Sequence, residues 1–376
     1  MSAALIDLVS KGVQDVYLTG TPQVSFFHQN YKRHTNFSIK PERLDYVGTF
    51  GDGNEVVVPL RTKGDLLSYI WVEADGIGSR QTNSTGFFSD DASPTEFSLW
   101  IGGQEVTRLD SLYIQGVHNL LYKQDQAKSS MALTLDEIPE NALGKGANAD
   151  HYVIPFFFSE DWTKSLPLTA LQYHQVELRI KCRSGGTTFT PGSTPKIYGT
   201  YVYLDSDERS VIVDHKHEIL ITQTQYQPMS ASDVDVDLTY FNHPVKAVHV
   251  VSSEADGGKW DENWSFDSAT LYINGIPLFE NMSSTYHHNV VPEMHCTTLP
   301  YGALSTVSTY TWPFCLTLNK SQPSGSLNFS RIDNAKLQLS GTGPHNARDG
   351  KYVRAYAVSY NILRIKDGMG GIAFSN

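Results

Sequence analysis

Charge is scarce in this chain: Asp, Glu, Lys and Arg make up 18% of 376 residues. Disorder needs dense charge and little apolar material, whereas hydrophobic residues here reach 40%, so the chain folds around a substantial core. Cations are the rarer sign, 29 Lys and Arg against 40 Asp and Glu, giving a formal net charge of −11. Neutralising phosphates takes clustered Lys and Arg, so a free-standing nucleic-acid binder is excluded and no direct nucleic-acid partner is expected. Cysteine is rare too. Cys182, Cys296 and Cys315 cannot all pair within one chain and match neither zinc-ribbon nor redox spacing, which points to buried thiols in a reducing compartment.

Long apolar runs are missing as well. The longest stretch without a charged residue, Met294 to Asn319, is full of Ser and Thr and carries Pro300 and Pro313, so it does not read as a membrane span. Met1 to Gly12 lacks a basic opening and Asp7 interrupts its apolar stretch, so no secretory signal is expected. Gly144-Lys145-Gly146 lacks the spacing and the hydroxyl partner of a phosphate loop, and neither G-x-S-x-G nor H-E-x-x-H occurs. No catalytic residue and no cofactor is expected. His215-Lys216-His217 and the group His287, His288, His295 and Cys296 lack a third ligand at a defined spacing, so no metal site is expected either. Asp233, Asp235 and Asp237 share one face of a strand, an arrangement that either attracts a cation or, as solvated carboxylates on an edge, discourages unwanted pairing.

What is abundant is aromatic and β-branched. Twenty Tyr, 17 Phe and 6 Trp accompany 29 Gly and 17 Pro, the composition of short strands joined by turns. Helical periodicity is confined to Leu5, Leu8, Val9, Val13, Val16 and Tyr17, weakened by Gly12. That pattern predicts a short amphipathic helix followed by an extended arm, which either docks on a neighbour or membrane face or packs on its own domain. Strands are predicted at Glu55–Leu60, Leu66–Val72, Phe97–Ile101, Val176–Ile180 and Ala357–Ile362, where apolar residues run or alternate between turn residues. Long polar segments at 75–96, 136–150, 183–196, 252–267 and 341–351 read as loops.

A faint internal repeat organises these strands. Ile70-Trp71-Val72 resembles Val248-His249-Val250 at an offset of 178. Leu99-Trp100-Ile101-Gly102-Gly103 resembles Leu271-Tyr272-Ile273-Asn274-Gly275 at 172, Leu178 matches Leu337 at 159, and Tyr201-Val202-Tyr203 matches Tyr356-Ala357-Val358 at 155. The order is constant and the offset falls steadily, as it does when a second copy has shorter loops. Two tandem β-sandwiches of similar topology follow, joined near Asp205–His217 by a charged stretch able to form a short helix.

Several blocks resemble one family, the double jelly-roll major capsid proteins of nucleocytoplasmic large DNA viruses such as phycodnaviruses and iridoviruses. They begin with Gln14-Asp15-Val16-Tyr17-Leu18-Thr19-Gly20-Thr21-Pro22-Gln23-Val24-Ser25-Phe26-Phe27 and Tyr31-Lys32-Arg33-His34-Thr35-Asn36-Phe37. Pro155-Phe156-Phe157-Phe158, Leu166 to His174, and Asp205–Arg209 with His217–Ile221 follow. Gln322–Gly325, Asn328–Asn334, Tyr360–Ile365 and Gly368–Gly371 complete the series in family order. The resemblance implies an all-β chain of two eight-stranded antiparallel jelly rolls: an arm at 1–23, jelly rolls at 24–208 and 217–367, a connector at 209–216 and a tail at 368–376. It implies a homotrimer forming a pseudo-hexagonal capsomer among neighbouring capsomers in an icosahedral virion shell, after synthesis in the host cytoplasm. The arm, through Leu5, Leu8, Val9, Val13 and Tyr17, would lie at the base and meet minor capsid proteins and the inner membrane. An alternative reading is a glycan-binding sandwich using Phe87, Phe88, Trp260 and Trp264 on polar loops, which would also let a capsid protein hold host-surface glycans. A third is a cupin-like metalloenzyme, since cupins share the jelly-roll sandwich.

Overall fold

The computed structural model describes residues 10–375, apart from 28, 30, 52, 61, 74–93, 123–150, 183–194, 231, 254–263, 297–306, 342 and 345–351. Packing divides the chain into two units, Met1–Phe37 and Ser38–Asn376. In the first unit the Asp15 carboxylate accepts from the Gly12 amide at 2.7 Å, closing a turn just ahead of a helix that covers only Val16–Thr19. Four residues make barely one turn, and no residue of this helix is buried. Val13 and Tyr17 are exposed, as are Leu18, Val24, Phe26 and Phe27. Leu5, Leu8 and Val9 lie outside the described residues.

The second unit is built from strands that begin at its border. They are β1 (Phe37–Leu44), β2 (Glu55–Pro59), β3 (Leu66–Glu73), β4 (Glu96–Ile101), β5 (Gln104–Asp110), β6 (His151–Ile154), β7 (Leu166–Pro167), β8 (Val176–Lys181) and β9 (Lys196–Leu204). A helix over Ser206–Asp214 follows, its first amide held by the Asp205 carboxylate at 2.7 Å and its first turn carrying Asp207 and Glu208, which suit the positive end of the helix. Then come β10 (His217–Met229), β11 (Asp235–Asp237), β12 (Pro244–Ser253), β13 (Trp264–Ser265), β14 (Ser268–Ile273) and β15 (Ile276–Ser283). The last are β16 (Val307–Pro313), β17 (Leu327–Asn328), β18 (Ala335–Ser340), β19 (Gly343–Pro344), β20 (Tyr352–Lys366) and β21 (Met369–Ile372). The 368–376 tail is therefore no loose end: β21 pairs with Leu363–Lys366 of β20.

Sheet order shows one topology laid down twice. The sequence β1–β9–β3–β6 lies over β2–β8–β4–β5, and β10–β20–β12–β16 repeats the first path as β11–β18–β14–β15 repeats the second. Each is a jelly roll. Short strands extend two of the four paths, β7 beside β3, β17 beside β12 and β21 beside β20. Among the described residues one sheet therefore reaches five strands in the first jelly roll and six in the second, beyond the eight per jelly roll that were expected. The strands alternate as half-buried strands do: β4 buries Phe97, Leu99 and Ile101, and β8 buries Val176, Leu178 and Ile180 against them.

The internal repeat holds in register. Leu99 stands opposite Leu178 and Leu271 opposite Leu337, which ties two of the matches together. Trp71 and His249 occupy the same place in β3 and β12. The fourth match shifts: Trp71 faces Tyr198 and His249 faces Tyr356, so the counterpart of Tyr356 is Tyr198, at an offset of 158, and not Tyr201. A displacement of three residues reverses the face of a strand, which is why Tyr201 packs inside its sandwich while Tyr356 points out of its own.

The hairpin after each first strand of the matched pair needs two left-handed residues, and the sequence supplies Gly102-Gly103 (φ 58° and 80°) and Asn274-Gly275 (φ 49° and 80°). A Cβ on Gly102 would run into the His174 ring, whereas space around Gly275 is open. Gly102→Ala is expected to cost roughly 2–4 kcal/mol and Gly275→Ala only about 1 kcal/mol. Urea unfolding of both variants checks this; equal losses would show that crowding by His174 is not felt.

Candidate assembly interface

The best-defined contact face among the described residues joins the two sandwiches to each other. Strand β5 is the edge of its sheet, where carbonyls lack a neighbouring strand. Strand β10 of the other sandwich crosses it, with Gln223 donating to the Val106 carbonyl and Thr224 to the Arg108 carbonyl. Side chains thus satisfy the edge without extending the sheet. Beyond β5 the chain turns into a helical segment, Ser111–Tyr113 continuing as a wide π-helix over Ile114–Tyr122. Its Leu112, Ile114, Val117 and Leu121 are buried.

Asp110 governs the turn. Its carboxylate caps the helical segment, accepting from the Tyr113 amide at 2.7 Å. Across the seam it takes Nη1 of Arg354 at 2.6 Å and the Tyr356 hydroxyl at 2.8 Å, both from β20. Burial pushes the Asp110 carboxyl above its usual range, and the Arg354 guanidinium, that amide and the Tyr356 hydroxyl pull it back. The guanidinium also lies over the Tyr226 ring, 4.3 Å from its centre. Farther along, Tyr122 meets Nε2 of His249 at 2.9 Å, and Nδ1 of that ring meets the Thr311 hydroxyl at 2.9 Å. The Lys246 ammonium sits 4.9 Å from the centre of the Tyr122 ring and donates to the Lys320 carbonyl, and burial lowers its pKa. Between the connector helix and the first sandwich, Arg209 pairs with Asp65 at 2.8 Å.

The histidines act as hydrogen-bonding groups. His215 and His217 reach the carbonyls of Val211 and Ile212, closing the connector helix. His287, His288 and His295 reach those of Thr311, Thr309 and Leu316. Among the described residues no three His, Cys, Asp or Glu side chains gather as a metal site would need. All three cysteines are free thiols, and burial pushes Cys296 up to about 12, far from a reactive thiolate. Asp235 pairs with Lys336 at 2.9 Å, and Asp233 and Asp237 cap the turns on either side of β11.

The proposed glycan-stacking aromatics fare differently. Phe87, Phe88 and Trp260 lie outside the described residues. Trp264 is not on a loop surface: it is 1% exposed, wedged edge-on against Phe266 and Tyr310, with its own carbonyl taking the Tyr310 hydroxyl. An indole so enclosed has no face to offer a sugar. Two features escaped sequence reasoning. The helical segment after β5 is betrayed only by Asp110 as a cap and by Ile114, Val117 and Leu121 at three- and four-residue steps. Arg354 is a lone cation in the alternating run Tyr352–Tyr360, a placement that a strand with a wet face would also allow.

Arg354→Ala would strand the Asp110 carboxylate in the seam and is expected to cost about 3–5 kcal/mol in denaturant unfolding; a loss below about 1 kcal/mol would remove the pair from its place in the seam. The buried imidazoles add a pH dependence. Burial holds His249 down at about 3 and His287 at about 4, so both are neutral when folded. Below about pH 6.5 the unfolded chain takes up protons that the folded chain refuses, so stability present above that pH is lost as it falls towards 4. About 2 kcal/mol per ring should vanish by about pH 5. His249→Gln keeps hydrogen-bonding capacity for Tyr122 and Thr311 and should flatten that slope in a pH series of urea midpoints; an unchanged slope would clear His249 of the effect.

Comparison with known proteins matches both halves. A family model described as major capsid protein N-terminus covers residues 25–205, and one described as large eukaryotic DNA virus major capsid protein covers 208–371. The major capsid protein of Pyramimonas orientalis virus is 31% identical over 405 aligned positions, spanning 100% of both chains. That of Paramecium bursaria Chlorella virus 1 is 28% identical, again over 100% of each. Among solved structures, the quasi-atomic PBCV-1 virus capsid superposes with a TM-score of 0.74 at 25% identity, covering 94% of this chain and 100% of the other.

Proposed function

The chain belongs to the major capsid proteins of large eukaryotic DNA viruses, and we propose that it builds the shell as a homotrimer shaped like a pseudo-hexagonal capsomer. One observation carries the reading: a single chain holds the same jelly-roll topology twice, so three chains supply six similar sandwiches. Six near-equivalent walls tile a surface with hexagonal neighbours, and cyclic closure leaves no open end. The trimers then meet neighbouring capsomers in an icosahedral virion shell after synthesis in the host cytoplasm. On this reading 24–208 and 217–367 are the two building blocks, 209–216 the joint between them, and 368–376 a tail that stitches onto the second. The arm of residues 1–23 is rich in uncovered apolar side chains, Val13, Tyr17 and Leu18 among them. With Leu5, Leu8 and Val9 it supplies a surface for minor capsid proteins or the inner membrane at the capsomer base. No helix among the described residues is long and apolar enough to cross a membrane.

Light scattering on the purified full chain is expected to give three times the chain mass, with hexagonal outlines in negative-stain images. A stable monomer under assembly conditions would overturn the trimer.

A further inference from the structure

Where the two jelly rolls meet, a cleft of about 310 Å3 is lined by Tyr69, Tyr122 and Val153 of the first and by Lys246 and Leu318 of the second. Lys246 is 3% exposed, so its ammonium has left water almost completely. Of its three N–H donors one reaches the Lys320 carbonyl at 3.2 Å, and the charge lies 4.9 Å from the centre of the Tyr122 ring. Among the described residues no carboxylate comes within ion-pair reach of it. A buried cation so placed is costly unless an opposite charge reaches it.

The neighbouring carboxylates are already engaged. Glu160, also on the cleft, takes the Lys164 ammonium at 2.8 Å and the Thr222 hydroxyl. Asp161 accepts from the Thr163 amide at 2.9 Å and from the Ser321 hydroxyl at 2.9 Å. Lys164 is itself buried, at 6% exposed. Two buried ammoniums therefore share the Glu160 carboxylate, and one positive charge is left over. Burial lowers the Lys246 pKa, and Cys315 and Glu160 offset that only in part.

We propose that this cleft binds an apolar monocarboxylate, its oxygens on the Lys246 ammonium and its body against Tyr69, Tyr122 and Leu318. One charge is left over, so a monoanion matches it, whereas a phosphate dianion would set its second charge beside Glu160. The walls point the same way. Aromatic and aliphatic surface suits a hydrocarbon body, and a phosphate needs more donors than one ammonium offers. At about 30 Å3 for each water-sized group the cleft holds on the order of ten heavy atoms, the size of benzoate or octanoate. The site lies within one chain and does not depend on the homotrimer.

Calorimetric titration of the full chain with sodium benzoate tests this. One benzoate per chain is expected, with a dissociation constant of about 1 mM or tighter. Benzyl alcohol, with the same ring and no charge, should bind at least about tenfold more weakly. Lys246→Met removes the charge at similar volume and should erase the preference for benzoate; a buried ion replaced by an apolar side chain is usually tolerated. Should that variant fail to fold, Val153→Trp narrows the cleft from a half-buried position on β6 with Lys246 intact, and should weaken benzoate at least about tenfold. A wild type without saturable benzoate binding, equal affinity for benzyl alcohol, or benzoate affinity untouched by Lys246→Met or Val153→Trp would each overturn the site. Inorganic phosphate displacing benzoate at equal concentration would overturn the choice of ligand.

Discussion

Strand β20 has no wet face along its central run, and much else follows from that. Ala355 and Ala357 pack into the core of the second sandwich, while Tyr356 and Val358 belong to the apolar cluster of the first. A strand clad on both sides cannot be exposed on either without stranding several large side chains, at roughly 1.5–3 kcal/mol each. The first sandwich's helical segment has the same need from its own side. Two jelly rolls that could each have closed as a separate domain are consequently one body, and residues 38–376 pack as one unit.

Polar groups in that shared layer fix its geometry where apolar packing alone would let it slide. Asp110 receives three donors, the Tyr113 amide from its own helical segment and Arg354 and Tyr356 from β20 across the seam. The imidazole of His249 is tied to Tyr122 on one side and Thr311 on the other. Removing one partner leaves a buried group unsatisfied, so the layer tolerates few alternative registers. A shell protein gains from this: the angle between its two halves is set inside the chain before any neighbour arrives.

Much of the architecture was legible because jelly-roll strands announce themselves. The runs at Glu55, Leu66, Phe97 and Val176 begin strands within a residue of expectation. Gly102-Gly103 and Asn274-Gly275 mark equivalent turns because only such residues accept their backbone. Reading stopped where local pattern carries no information about neighbours. Tyr201 and Tyr356 look alike in sequence, yet only pairing register tells which one points into a core. Trp264 follows a polar loop and so resembled a surface aromatic, although the chain turns inward there to fill the space beside Tyr310. Arg354 could not be told from a solvated strand cation, because its partner lies 244 residues away. The family blocks named the kind of protein; none of them pointed to the seam.

That separation has a consequence for the chain as it is made. The helical segment after β5 is synthesised long before the strand that covers it. At about 5–20 residues per second the interval between Asp110 and Arg354 is on the order of 10–50 s. Through that time the nascent first half holds an apolar helix and an edge strand with nothing to shield them, the kind of surface that aggregates or recruits chaperones. Folding of the first half is therefore provisional until the second half emerges, and the order of translation becomes part of how this fold is reached.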